Sequence, residues 1–293
     1  MTASVPSAAT PHRRAYELAA ERPASARPVA LVTGAARRIG RVIALELAAA
    51  GYDIALHHRG TDAQAHADAS STAAELRRAG ARVELHAVDF EDAAATAALV
   101  PAIVASFGRL DAVVNSASRF EYDSPADFDP ALLDALVRSN TAAPVQLAQA
   151  LARQVAAQQA LPGVSPCVVN LLDQKLANPN PDYFSYTLTK AALQHATVLL
   201  AQALAPALRV CAVSPGVTLA SGPMGEAEFA QAQRMTALGR SSTPEDIAHA
   251  VRFLLESPAI TGVDLAVDGG QHLCGQPRDV LFLAREQRAT TQP

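Results

Sequence analysis

Tyr186 and Lys190 stand four residues apart, and Asp173 lies thirteen residues ahead of the Tyr. The residues that follow, Ala191-Ala192-Leu193, continue the segment as a helix, so Tyr and Lys share one face. A phenol beside an ammonium has its anion stabilised, which suits it to carry a proton near neutral pH. The apolar run Cys167-Val168-Val169-Asn170-Leu171-Leu172 reads as a strand that delivers Asp173 at its end. A Tyr–Lys pair on its own is common on protein surfaces, so its meaning depends on the other motifs of the chain.

A second set of residues suits phosphate. Thr33-Gly34-Ala35-Ala36-Arg37-Arg38-Ile39-Gly40 joins an apolar strand to a helix. Glycines in such a turn let the backbone approach a pyrophosphate, to which the helix start presents unpaired N–H groups. Only Gly34 and Gly40 of a Gly-x-Gly-x-x-Gly pattern are present. The next strand ends in His57-His58-Arg59, with no acid before Asp62. An acid there would bind the 2′-hydroxyl of NAD, whereas cations suit the 2′-phosphate of NADP. Arg38 and the His57–Arg59 cluster therefore point to NADPH, since an arginine fork binds phosphate oxygens in pairs.

Alternating elements position these groups. Short aliphatic strands are expected at 29–33, 53–57, 83–88, 110–114, 167–172, 208–213 and 263–267. Helices are expected at 39–50, 63–79, 93–107, 131–159 (bent near Pro144), through Tyr186, and at 244–256. The fold class is thus α/β: a Rossmann-type, doubly wound, parallel seven-stranded sheet with helices on both faces. One NADP-binding catalytic domain over 28–273 follows a disordered leader (1–27) and precedes a tail (274–293), in which 279–283 has the apolar content of a packed element. The irregular stretch 218–242 has the length and place of a mobile substrate lid.

Composition excludes several classes. The net charge of −4 gives no electrostatic footprint for nucleic acid or an anionic membrane surface. No apolar run has the length of a membrane span or the form of a secretory signal. Cys167, Cys211 and Cys274 are widely spaced and form no metal-ligand pattern, and Cys167 and Cys211, in apolar runs, read as core thiols of a reducing compartment. A cytoplasmic location and no metal are the corresponding expectations.

Together these motifs resemble the short-chain dehydrogenase/reductase superfamily from about Val29 to Leu273. The resemblance implies cofactor contacts from Gly34, Arg38, Ile39, Gly40, from Asp89 and the adjoining Phe90, from Asn115, Ala117 and Ser118, and from Pro215 and Gly216. It implies a catalytic set of Tyr186, Lys190 and Asn140, the last holding a relay water. Most members carry a Ser where this chain has Asp173. An ionised carboxylate only accepts hydrogen bonds, so it cannot polarise a ketone as a hydroxyl does, but it can orient the Tyr hydroxyl or receive N–H groups of a heterocycle. The branch that looks like this is pteridine reductase, with dihydromonapterin reductase. That branch shares Gly-Ala-Ala-x-Arg-x-Gly at Gly34–Gly40 and the turn Asn115, Ala117, Ser118, Phe120.

The implied reaction is NADPH-dependent reduction of a pterin C=N bond. Tyr186 would donate the proton, Lys190 would lower the Tyr pKa, and Ser118, Phe120, Asp173 and Tyr186 would bind substrate. A general carbonyl or imine reductase and a non-catalytic NADP sensor are the alternatives. By the same analogy, the helix after Tyr186 is expected to pair subunits in a homotetramer.

Overall fold

The computed structural model describes residues 27–60, 62–220 and 224–291; the leader apart from Arg27 lies outside them. Seven parallel strands form one sheet in the order β3-β2-β1-β4-β5-β6-β7. They are β1 (Val29–Val32), β2 (Asp53–His58), β3 (Val83–Ala87), β4 (Ala112–Asn115), β5 (Cys167–Leu171), β6 (Arg209–Pro215) and β7 (Asp264–Val267). The expected sheet is borne out, with β6 two residues longer at its carboxyl end than its apolar run.

Side chains alternate across each strand, so a strand covered on both faces must be apolar throughout. Ala30 and Val32 of β1 face one core, which is covered by helices α1 (Arg38–Ala49), α2 (Ala63–Arg78) and α8 (Pro244–Glu256). Val29 and Leu31 face the other core, under α3 (Ala93–Phe107), α5 (Ala143–Ala157) and α6 (Phe184–Leu204). Leu31, Ile43, Leu47, Leu99, Ile103, Leu147 and Leu151 are fully buried between these layers. The chain reverses its winding between β1 and β4, which opens a crevice at the carboxyl ends of the central strands.

The long helix expected over 131–159 is three pieces. Helix α4 (Pro130–Val137) passes through a π-type turn at Arg138–Ala142 into α5. Pro144 lies in the first turn of α5, where its missing N–H disrupts no helical bond, and the register shift falls just ahead of it. The lid stretch is not irregular throughout. Helix α7 (Glu226–Arg234) starts at Gly225, whose N–H donates to Glu228 at 2.8 Å. A last helix, α9 (Val280–Thr291), extends the short element expected near 279–283 and packs on α7. Arg27 donates to the carbonyls of Gly51 and Gly80 and pairs with Asp53 at 3.2 Å, so the chain is tied down one residue before the expected leader boundary.

Candidate active site

The turn after β1 is sewn to its neighbours on three sides. Gly34 N–H donates to His57 Nδ1 (3.1 Å), Ala35 N–H to the His57 carbonyl (2.9 Å), and Ala117 N–H to Thr33 Oγ1 (2.9 Å). Gly34 has φ +65°, and a Cβ there would lie 2.9 Å from Ala117 Cα. A Cβ on Gly40 would meet the Gly34 carbonyl oxygen at 2.4 Å, so the turn closes onto the helix only with glycine at both places. Helix α1 starts without a side-chain cap and without an acid in its first turn. Its N-terminal N–H groups face a cleft of about 890 Å³ that runs from Gly34 to Tyr186, so the chain presents a cradle fitted to a dinucleotide phosphate.

At the adenosine end, the residues expected to form one cationic cluster play separate parts. Arg38 lines the cleft with φ +56° and donates through Nη1 to the Ala220 carbonyl at 2.9 Å. His58 also lines it, and its Nδ1 is buried with no hydrogen-bond partner among the described residues. His57 lines the cleft too, but its ring is already engaged. Its Nδ1 accepts from Gly34 and its Nε2 reaches the Val88 carbonyl at 2.9 Å, while the ring stacks on Phe90 at 4.2 Å. Burial pushes its pKa down to about 4, so it is a neutral brace behind the glycine turn and not a phosphate cation. Arg59 is held by Asp89 (3.0 Å) and Glu91 (3.2 Å), so Asp89 engages a cation here in addition to lining the cleft.

Beyond the turn, Ala117 and Ser118 line the cleft, as do Ile39, Phe90, Pro215 and Gly216. Gly216 packs so closely on Asp268 and Ser241 that a Cβ would lie 2.9 Å from Asp268 Cα, so the end of β6 closes onto the segment after β7 only with glycine at 216. Asn115 and Asn140 are not among the lining residues. Asn115 donates to Asn170 at 2.8 Å between β4 and β5. The Asn140 side chain donates to the Arg119 carbonyl (2.9 Å) and Thr189 Oγ1 (3.1 Å), and accepts from Arg119 N–H (2.8 Å) and Ser118 Oγ (3.3 Å). Four bonds use the full capacity of an amide, so this side chain fixes the 118–119 loop.

At the nicotinamide end the expected acid and phenol meet. Tyr186 Oη donates to Asp173 Oδ2 at 2.9 Å, and Asp173 Oδ1 accepts the Lys175 N–H at 2.9 Å. Lys190 Nζ donates to the Leu171 carbonyl at 2.8 Å and lies 5.7 Å from the Tyr186 ring centre. Burial lowers Lys190 to about 8. The net direction for Tyr186 is upward. Burial, then the adjacent Asp173 carboxylate, raise the phenol well above its usual value, so it holds its proton. Burial also raises Asp173, against the bonds from Lys175 and Tyr186.

Phe120 is stacked on Tyr183 (4.2 Å between ring centres, 19° between planes) and meets Tyr186 edge-on at 4.7 Å. Tyr183 escapes the reading of motifs; it stands just ahead of α6, three residues before Tyr186, and takes a left-handed φ of +53°. Lys175, Gln271, Gln276, Asp279, Val280 and Leu281 line the cleft as well. The last four come from the tail, and nothing in their local pattern marks them as site residues.

This is the site of a Rossmann-fold oxidoreductase, with a phosphate cradle at one end and a protonated, carboxylate-bound phenol at the other. Residues 34–272 match the family described as enoyl-(acyl carrier protein) reductase. Pteridine reductase 1 of Leishmania tarentolae is 34% identical over 84% of this chain and 96% of its own length. The structure of FolM alternative dihydrofolate reductase 1 from Brucella canis, complexed with NADP, is 34% identical with a TM-score of 0.79, covering 88% of this chain and 99% of that one. A 3-oxoacyl-[acyl-carrier-protein] reductase of Staphylococcus aureus is 30% identical over 83% of this chain and 98% of its own length. The chain belongs to the short-chain dehydrogenase/reductase family, in its pteridine reductase branch.

Proposed function

We propose that this protein reduces a C=N bond of a dihydropteridine with NADPH. The observation that carries the reading is the 2.9 Å bond from Tyr186 Oη to Asp173 in a pocket walled by Phe120. NADPH would supply the hydride when bound; the Gly34–Gly40 turn would hold its phosphates, and Arg38 and His58 its 2′-phosphate. Tyr186 donates the proton to the ring nitrogen, and Asp173 aims that hydroxyl and accepts N–H groups of the heterocycle. Lys190 hydrogen-bonds the nicotinamide ribose, Phe120 stacks on the flat ring, and Ser118 contacts both ligands. The aromatic faces of Phe120 and Tyr183 suit a planar heteroaromatic better than a flexible acyl chain.

The test is NADPH oxidation with dihydrobiopterin, dihydromonapterin, dihydrofolate and a simple ketone. Turnover of a dihydropteridine well above the ketone is expected. Ketone turnover alone would replace this reading with a general carbonyl reductase, which the similarity to 3-oxoacyl reductases favours and the absence of a Ser at position 173 opposes.

We further propose that residues 28–273 act as one catalytic unit that assembles as a homotetramer. Helix α6 exposes Leu188, Val198 and Leu199, the last at 64%, and a second copy of the same helix is the occupant that fits this face. Light scattering after size exclusion measures the mass directly, and a monomer would discard the assignment.

A further inference from the structure

The catalytic Asp173 has a cation and an anion as neighbours that belong to neither the cofactor cradle nor the Tyr–Lys pair. Lys175 follows it on a tight turn (Gln174–Leu176) with its side chain almost fully buried. Its Nζ donates to the Asp182 carbonyl, lies 3.6 Å from Asp279 Oδ2, and sits 5.4 Å from the Tyr183 ring centre. Asp279 arrives from the tail and is held firmly. Its N–H donates to Asp182 Oδ2 at 2.8 Å, and its Oδ1 accepts the Leu281 N–H at 3.0 Å at the start of α9. Arg278 grips the same Asp182 with two bonds of 2.8 and 2.9 Å. Lys175, Asp173 and Asp279 all line the one cleft.

A buried ammonium costs several kcal/mol of lost hydration, roughly, unless a carboxylate offsets it. The chain meets that cost by bringing a distant segment over its own active site. We propose that Lys175 and Asp279 are positioning residues acting in opposite senses on Asp173: the Lys175 charge favours the carboxylate that holds the Tyr186 hydroxyl, and the docked tail sets how strongly. The ionisable groups facing Asp173 are Tyr186 and Lys190 from α6, Lys175 from its own turn and Asp279 from the tail; Asp182 and Arg278 stand behind the pair. The signs agree with this arrangement, since Lys175 pulls the Asp173 pKa down and Asp279 pushes it up, against a larger rise from burial. The proposal rests on Asp173 working at the catalytic centre, as in the proposed function.

The experiment is the pH profile of kcat/KM for NADPH oxidation by the wild type, Lys175→Met, Asp279→Asn, the double variant and Lys175→Arg. Removing a cation raises the pKa of any nearby acid, and removing an anion lowers it. Lys175→Met should therefore move the apparent pKa of the Asp173–Tyr186 unit up by about one pH unit, and Asp279→Asn should move it down. The double variant should fall between them, and Lys175→Arg should restore the wild-type profile. Shifts in the same direction, or none, overturn the proposal. Should Lys175→Met not fold, the downward shift in Asp279→Asn and the rescue by Lys175→Arg decide it.

The profile is taken with whichever acceptor is turned over, so reduction of a ketone alone would sink the pterin assignment and leave this test intact. Infrared difference spectra against Asp173→Asn follow the same ionisation without turnover, through the carboxylic-acid stretch.

Discussion

In the proposed reaction Tyr186 is the proton donor by virtue of what surrounds it. A phenol raised by burial and by a carboxylate at 2.9 Å stays protonated through the neutral range and has one defined direction for its hydrogen. Tyr186→Phe removes that proton and nothing in the cofactor cradle, so turnover should fall by roughly two to four orders of magnitude with NADPH affinity kept. Stopped-flow hydride transfer and fluorescence titration separate the two, and retention of turnover would discard Tyr186 as the donor. Arg38 tests the other end of the cleft. Arg38→Ala should raise the KM for NADPH by tenfold or more, about 1.4 kcal/mol, and leave the KM for NADH little changed. An equal loss for both cofactors would take Arg38 away from the 2′-phosphate.

Among the elements, the tail has the largest effect on the site. Helix α9 sits on α7, with Arg285 bonded to Glu228 at 3.0 Å, and the residues before it bond Asp182 and Lys175. Asp182 is almost fully buried, so its carboxylate depends on the two Arg278 bonds for compensation. Arg278→Ala should cost about 1–3 kcal/mol in urea unfolding, at the lower end because Arg278 itself is 40% exposed. The same variant should raise the KM for the reducible substrate more than the KM for NADPH, since the tail's bonds are to Asp182 and Lys175, beside Asp173 and away from the Gly34–Gly40 turn. Equal effects on both would mean that the tail supports the whole domain and not the pocket.

At the scale of the molecule, the fold carries one prominent acid-sensitive brace. The His57 ring is locked neutral between Gly34 and Val88, with a pKa lowered from 6.5 to about 4 by burial. Between those values the unfolded chain binds a proton that the folded chain refuses. Stability from this group is therefore complete above pH 6.5 and is lost as the pH falls toward about 4, by roughly 3 kcal/mol in total. Urea unfolding between pH 7 and pH 4.5 measures the slope, and His57→Asn should flatten it. An unchanged slope in that variant would show that other groups dominate acid unfolding.

Much of this protein is set by local sequence. Aliphatic runs alternating with amphipathic helices can bury both faces of a sheet in few other ways, so the doubly wound order follows from the pattern of β1 to β7. Gly34, Gly40, Tyr186, Lys190 and Asp173 are equally legible, because each must sit at a strand end or on one helical face. Tertiary structure decided the rest. Whether His57 is a cation or a brace depends on burial behind the turn, and the Asn140 side chain fixes a loop through partners twenty-one and forty-nine residues away. The phenol's high pKa and the arrival of Asp279 beside Lys175 also come from groups that only folding brings together. Local spacing places side chains on faces; the dielectric around them and their long-range partners exist only once the chain has closed over the site.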